Sequence, residues 1–204
     1  MNPDDLPAQA ILFDIGNVLL RFDFDRAAQA MAGQSAVGAA RIREELDAWQ
    51  GRHESGAVTS EAFGAAVRQA IGYRGTEALF RAQFCDIFQP NEPMWAYARS
   101  LFGKVPVYLF SNISLWHESF IFERYPDLAR FDGGFYSWRL GVMKPDAGFY
   151  EAAREALPFA AGRIAYVDDM PLNVAGGQAH GLRVHHYHHE AHEAFLAAAG
   201  SWLA

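Results

Sequence analysis

The chain has 204 residues, 51% of them hydrophobic and 20% charged, with a formal net charge of −7. Such a length suits one domain, or one domain with a modest insertion, and folding buries roughly 70% of the surface of an unfolded chain of this size. The composition excludes the disordered, collagen-like and coiled-coil classes, and the acidic balance excludes a nonspecific hold on nucleic acid or anionic lipid, because those partners require clustered Lys and Arg.

The N-terminal stretch Met1-Asn-Pro-Asp-Asp-Leu6 carries acids where an export signal has its positive region, and no apolar run approaches the roughly 18 residues needed to span a bilayer. Cys85 is the single cysteine. An intrachain disulfide is therefore excluded, and a reducing cytoplasm is the expected compartment. The first predicted element is a strand, Ala10-Ile-Leu-Phe, ending at Asp14. Short continuous apolar runs of this kind suit strands buried on both faces of a parallel sheet. From residue 23 to 90 the texture changes to Ala, Gln, Glu and Arg at helical spacing without strand-like runs, and Thr59 or Ser60 stands ready to cap a helix opening at Glu61. Residues 23–90 are accordingly predicted as a helical cap inserted into an α/β core made of residues 1–22 and 91–204. A block entering after the first strand lies above the carboxyl ends of the strands, where open α/β sheets bind ligands, and so reads as a lid.

Beyond the insertion, apolar runs return at 105–110 and 163–167, with a last strand over 182–187. Helical stretches alternate with them over 114–124, 146–157, 171–180 and 190–203. That alternation predicts a doubly wound, Rossmann-like parallel sheet.

Four short stretches end a predicted strand or its loop with a reactive group: Phe13-Asp14-Ile-Gly16-Asn17-Val18, Phe110-Ser111-Asn112, Gly141-Val-Met-Lys144-Pro145 and Val167-Asp168-Asp169. Each alone is common in turns and caps. Together they meet the requirements of phosphoryl transfer at one sheet edge, because a carboxylate approaches a phosphate dianion only where a metal, a lysine and hydroxyl or amide donors neutralise the charge. Asp14 is the expected nucleophile, forming an aspartyl-phosphate that splits one difficult step into two. Ser111 and Asn112 are expected to bind phosphate, Lys144 to neutralise both phosphate and nucleophile, and Asp169, with Asp14 and a backbone carbonyl, to hold a hard cation for which Mg2+ is the natural choice. Zinc is disfavoured by the lack of Cys or His at these positions.

The ordered set Asp14, Ser111, Lys144 and Asp168-Asp169 resembles the four motifs of the haloacid dehalogenase-like hydrolase superfamily, over nearly the whole chain. More narrowly, Phe13-Asp-Ile-Gly-Asn-Val18, Tyr125-Pro-Asp-Leu128 and Glu54-Ser-Gly-Ala-Val-Thr-Ser-Glu-Ala-Phe63 are similar to the bacterial branch containing α-D-glucose-1-phosphate phosphatase. The resemblance implies a phosphatase acting on a small phosphate monoester, with a sugar phosphate suggested. It also implies that Asp14 is the nucleophile, Asp169 a direct metal ligand and Asp168 a ligand through water. One position departs from the pattern: where phosphatases of the superfamily carry a general acid two residues after the nucleophile, this chain has Gly16, which retains only a backbone carbonyl for the metal. General acid-base help is typically worth about 10²–10⁴-fold, so a substitute is needed, and His53 or His117 is a candidate. A leaving group that needs little protonation, such as an anomeric hydroxyl, is the other way out.

Further residues read more plainly. His185, His186, His188, His189 and His192 straddle a predicted strand whose alternate side chains face opposite ways and cannot converge on one ion. Trp49, Glu54 and Trp116 could meet a leaving group, although large aromatics mostly serve cores. Rival functions are a metal-free 2-haloacid dehalogenase, disfavoured by the acidic pair at 168–169; a receiver-type signalling domain, whose acidic pair comes early in its chain; and a silent relative that only binds a phosphorylated metabolite.

Overall fold

The computed structural model describes residues 6–200 and 202. The N-terminal acids at 4 and 5 and the end of the predicted last helix, at 203, lie outside them. The strands are β1 (Ala10–Phe13), β2 (Leu20–Phe22), β3 (Phe88–Pro90), β4 (Val107–Ser111), β5 (Gly133–Tyr136), β6 (Ile164–Asp168) and β7 (Arg183–His186). The helices are α1 (Phe24–Ala32), α2 (Ala39–Glu54), α3 (Ser60–Ala70), α4 (Glu77–Cys85), α5 (Glu92–Leu101), α6 (Leu115–Arg124), α7 (Ser137–Leu140), α8 (Ala147–Ala156), α9 (Pro171–Ala179) and α10 (His192–Gly200).

Five strands form a parallel sheet in the order β5-β4-β1-β6-β7. The apolar runs give its centre because they are buried on both faces, β1 and β6 along their whole length. Alternation sorts the side chains. Ile11, Phe13, Val107 and Val167 point to one face, against Met94, Trp95 and Ala98 of α5. Leu12, Phe110, Ile164 and Tyr166 point to the other, against Phe149, Tyr150 and Ala153 of α8. Helices thus cover both faces, and the architecture is the doubly wound α/β fold expected from the alternation. On α9, a Cβ at Gly177 would come within 2.7 Å of the Tyr166 ring and 2.9 Å of Val184, so glycine permits that helix to lie directly on β6 and β7.

Helices α1 to α4 fill the stretch between β2 and β3. Thr59, not Ser60, caps α3 by accepting from the Ala62 amide at 3.2 Å. Two expectations fail at short elements. The reading of residues 23–90 as free of strands misses β3, which pairs antiparallel with β2 where the chain leaves and re-enters the sheet region. Three residues on each side are too few to show a period. Strand β5 was not expected either, because its Gly133-Gly134 start dilutes the apolar signal at a sheet edge. No helix among the described residues is long and apolar enough to cross a membrane.

Candidate active site

Parallel pairing aligns the carboxyl ends of β1, β4 and β6, and it is there that the charged residues emerge. Asp14 follows β1, its amide still bonded to the Val167 carbonyl at 3.0 Å, while Ser111 and Asp168 are the last residues of β4 and β6. Lys144 arrives from the loop after α7, which ends at Gly141 in the left-handed conformation (φ 72°).

The four stretches converge on Lys144, which is almost fully buried. Its Nζ donates to the Phe110 carbonyl at 2.7 Å and to Asp168 Oδ2 at 2.6 Å, and stands 3.1 Å from Asp14 Oδ1. Asn112 fixes the lysine's backbone through a two-way amide pair, accepting from the Lys144 amide and donating to its carbonyl, both at 2.9 Å. Asn112 therefore lines the site with its side chain already committed. Ser111 is buried beside it, its hydroxyl donating weakly to the Asn112 carbonyl at 3.4 Å. Asp14 Oδ1 also accepts from the Ile15 amide at 2.8 Å.

The two acids of the pair differ. Asp168 is fully buried and saturated: Oδ1 accepts from the Met170 amide at 2.8 Å and Asn173 at 3.0 Å, and Oδ2 from Lys144, Asn173 and the Tyr166 hydroxyl. Asp169 is half-buried, and its carboxylate accepts from the Asn17 side chain at 2.9 Å. Sequence reasoning missed Tyr166, Asn173 and the role of Asn17. Tyr166 reads as one more apolar strand residue, Asn173 as one position in a helix, and nothing in their types announces a carboxylate partner. Asn17 sits at φ 51°, a conformation that asparagine tolerates better than most residues.

Electrostatics follow from burial. Desolvation raises the Asp14 carboxyl to about 7 against the pull of Lys144. Burial opposes the Lys144 charge, but Asp14 and Asp168 more than offset it and the ammonium is stabilised. Asp169 is also raised by burial, against the hydrogen bond from Asn17. Carboxylate oxygens of Asp14, Asp168 and Asp169 lie within 4.8 Å of one another, so one ammonium answers three acids.

A cavity of about 300 Å³ opens over this cluster. Its floor is Asp14, Gly16, Ser111, Lys144 and Asp169; its walls are Phe22, Phe24, Ile87, Phe88, Ile113 and Met170; Gln50 and Glu54 of α2 reach it from above. At Gly16 a Cβ would stand 2.9 Å from the Phe22 ring, so that ring fills the space a side chain there would need. His117 lines the cavity, but burial lowers its imidazole to about 4. His53 is held by Ser60 at 2.8 Å, stacked on Phe63 at 4.0 Å and lowered to about 3, also by burial. Both rings are neutral packing groups at ordinary pH. Glu54, by contrast, is raised to about 7 by burial and by Asp14, with Gln50 donating to Oε1 at 2.9 Å.

The remaining candidates serve packing. Trp116 is buried against Phe63 and Phe84, and Trp49 packs at the margin of the core under Arg52. Cys85 is buried and its thiol pushed up to about 12. His186 bonds the Asp169 carbonyl at 2.8 Å, His192 faces the Tyr187 hydroxyl at 3.2 Å and His185 lies edge-on to Phe195.

No protein-family model matches the chain. Sesquiterpene phosphatase astK of Aspergillus oryzae is 30% identical over 177 residues, 85% of this chain and 87% of that protein. A HAD family enzyme of Bacteroides thetaiotaomicron shares the fold with a TM-score of 0.83 at 18% identity, covering 94% of this chain and 99% of its own. The same enzyme in complex with magnesium and inorganic phosphate gives 0.79 at 20% identity, covering 87% and 93%. L-2-haloacid dehalogenase of Xanthobacter autotrophicus gives 0.62 at 17%, covering 87% and 76%. Sequence similarity along most of the chain, the shared fold and the four stretches gathered on one lysine agree: the chain belongs to the haloacid dehalogenase-like hydrolase superfamily.

Proposed function

We propose that the protein is a magnesium-dependent phosphatase that cleaves the phosphate monoester of an apolar alcohol through an aspartyl-phosphate on Asp14. The observation that carries this reading is the Lys144 ammonium held between Asp14 and Asp168 on the cavity floor. Lys144 offsets the charge of phosphate and nucleophile as they approach, and Ser111, with Asn112 beside it, borders the phosphoryl oxygens. Asp168, saturated by its four donor residues, aims Lys144.

The residues suit a hard divalent cation. The cluster offers carboxylate oxygens without thiolate or imidazole, and its acids are short of positive charge. Asp169 and Asp14, with the Gly16 carbonyl, would hold the ion and Asp168 would support it. Bound there, it supplies Lewis-acid neutralisation of the phosphoryl oxygens. The complex of the Bacteroides enzyme with magnesium and phosphate supports that choice.

The cavity bears on the leaving group. Its walls are mainly phenylalanine and isoleucine, and its amides are committed within the protein: Asn17 to Asp169, Asn112 to Lys144, Asn173 to Asp168 and Gln50 to Glu54. A sugar would leave hydroxyls unpaired there, at a cost of about 1–3 kcal/mol each. An apolar alcohol fits better, as the similarity to a sesquiterpene phosphatase also suggests. We read residues 23–90 as a lid that supplies Phe24, Ile87 and Phe88 to these walls.

The test is phosphate release with magnesium from alkyl and prenyl monophosphates and from glucose 1-phosphate, beside an Asp14→Asn variant. We expect preference for the apolar esters and no activity in the variant. Activity surviving in the variant overturns the nucleophile, and chloride release from a 2-haloacid in chelator overturns the reaction class.

A further inference from the structure

We infer that Glu54, at the end of α2, is the catalytic proton carrier of this site, giving its proton to the departing alcohol and taking one from the water that follows. The inference rests on the phosphatase reading above and supplies the group that Gly16 lacks.

Three observations place it. Gly16 brings no side chain to the usual position of the acid, and the edge of the Phe22 ring lies 2.9 Å from where its Cβ would be. The two histidines that could substitute are buried neutral rings, and His53 bonds Ser60 away from the floor. Glu54 borders the same cavity as Asp14 and Lys144.

Its backbone is held by residues just beyond β4 and β5. The Ser137 hydroxyl donates to the Glu54 carbonyl at 2.5 Å and accepts from the Ile113 amide at 2.9 Å, two residues beyond Ser111. Gly56, at φ 73°, lets the same turn press on Trp138, whose carbonyl would lie 2.4 Å from a Cβ there. The backbone of Glu54 is thus tied to the loop that follows Ser111, and Gln50 holds its carboxyl at Oε1. Charged and titratable groups that line the cavity with it are Asp14, Lys144, Asp169 and His117. Burial holds Glu54 near 7, so both its acid and base forms are populated at neutral pH.

The steps balance. An Asp14 oxygen bonds to phosphorus as the bond from phosphorus to the alcohol oxygen breaks, and that oxygen takes the Glu54 proton and leaves as the free alcohol. Water then attacks phosphorus and yields its proton to the Glu54 carboxylate. The bond to Asp14 breaks, releasing inorganic phosphate and restoring both acids.

The experiment compares wild type, Glu54→Gln and Glu54→Asp with magnesium on p-nitrophenyl phosphate and on n-decyl phosphate. For Glu54→Gln we expect decyl phosphate turnover to fall about 10²–10⁴-fold. With p-nitrophenyl phosphate, whose leaving group needs no proton, we expect a rapid burst of one p-nitrophenolate per chain and then slow turnover, because the second step has lost its base. Glu54→Asp, which keeps a carboxyl, is expected to recover part of the loss. Equal loss in both phases, or wild-type rates on both substrates, overturns the assignment. Absence of phosphate release by wild type from either ester removes the phosphatase reading and the inference with it.

Discussion

Lys144 is where charge, burial and position meet, and its neighbours show what removing it does. Asp14 and Asp168 are both buried and share its ammonium, so Lys144→Met leaves two acids without a counter-charge. Breaking a buried pair from one side costs about 3–5 kcal/mol, and we expect that loss in urea unfolding at neutral pH, with activity abolished. Adding Asp168→Asn to the lysine variant should restore part of the stability and none of the activity. An unchanged urea midpoint in Lys144→Met would contradict the pairing. At this scale the meeting of Asp14, Ser111, Lys144 and the 168–169 pair was legible, because Asp14, Ser111 and Asp168 follow or end apolar runs and each residue type answers a distinct chemical need. Tyr166 and Asn173 were not, because their significance comes from partners elsewhere in the fold. Glu54 was marked only as a group that could meet a leaving group.

The elements that matter most to the cavity are joined by the turn after α2. Gly56 combines a positive φ with a contact on the Trp138 backbone that no side chain allows. Gly56→Ala therefore strains the backbone and forces the turn off α7, and we expect more than about 1 kcal/mol of destabilisation. Ser137→Ala, which strands the Ile113 amide and the Glu54 carbonyl, should cost about 1–3 kcal/mol. Urea midpoints within error of wild type for both variants would refute this tie. Long buried strands and capped helices were readable from period and composition. The paired stubs β2 and β3 and the glycine-led β5 were not, since three or four residues carry too little pattern.

Across the whole molecule, buried titratable groups pull stability in opposite directions. His53 and His117 stay neutral in the folded chain down to about 3 and 4, whereas the unfolded chain protonates both near 6.5. The unfolded state binds more protons in that window, so they cost stability as pH falls through it. Asp14 and Glu54 do the reverse: folded, they keep protons up to about 7, and unfolded they release them above 3.8 and 4.5, so their cost grows as pH rises. His117→Phe, placed among Phe24, Phe84 and Phe88, isolates one contribution. Relative to wild type it should gain about 1.4 kcal/mol per pH unit between 6 and 4.5. Parallel stability curves for the two proteins would show that the ring is not held neutral.

The packing of Phe22 on Gly16 also constrains how this sequence can change. An aspartate at 16 finds the ring 2.9 Å from its Cβ, and the ring rests in turn on Phe24 at 5.7 Å. Phe22 is partly exposed and meets the new Cβ only with the edge of its ring, so an aspartate at 16 requires that ring to swing away from the cavity rather than a second substitution. Gaining a side chain at 16 and keeping the apolar wall in place thus pull against each other.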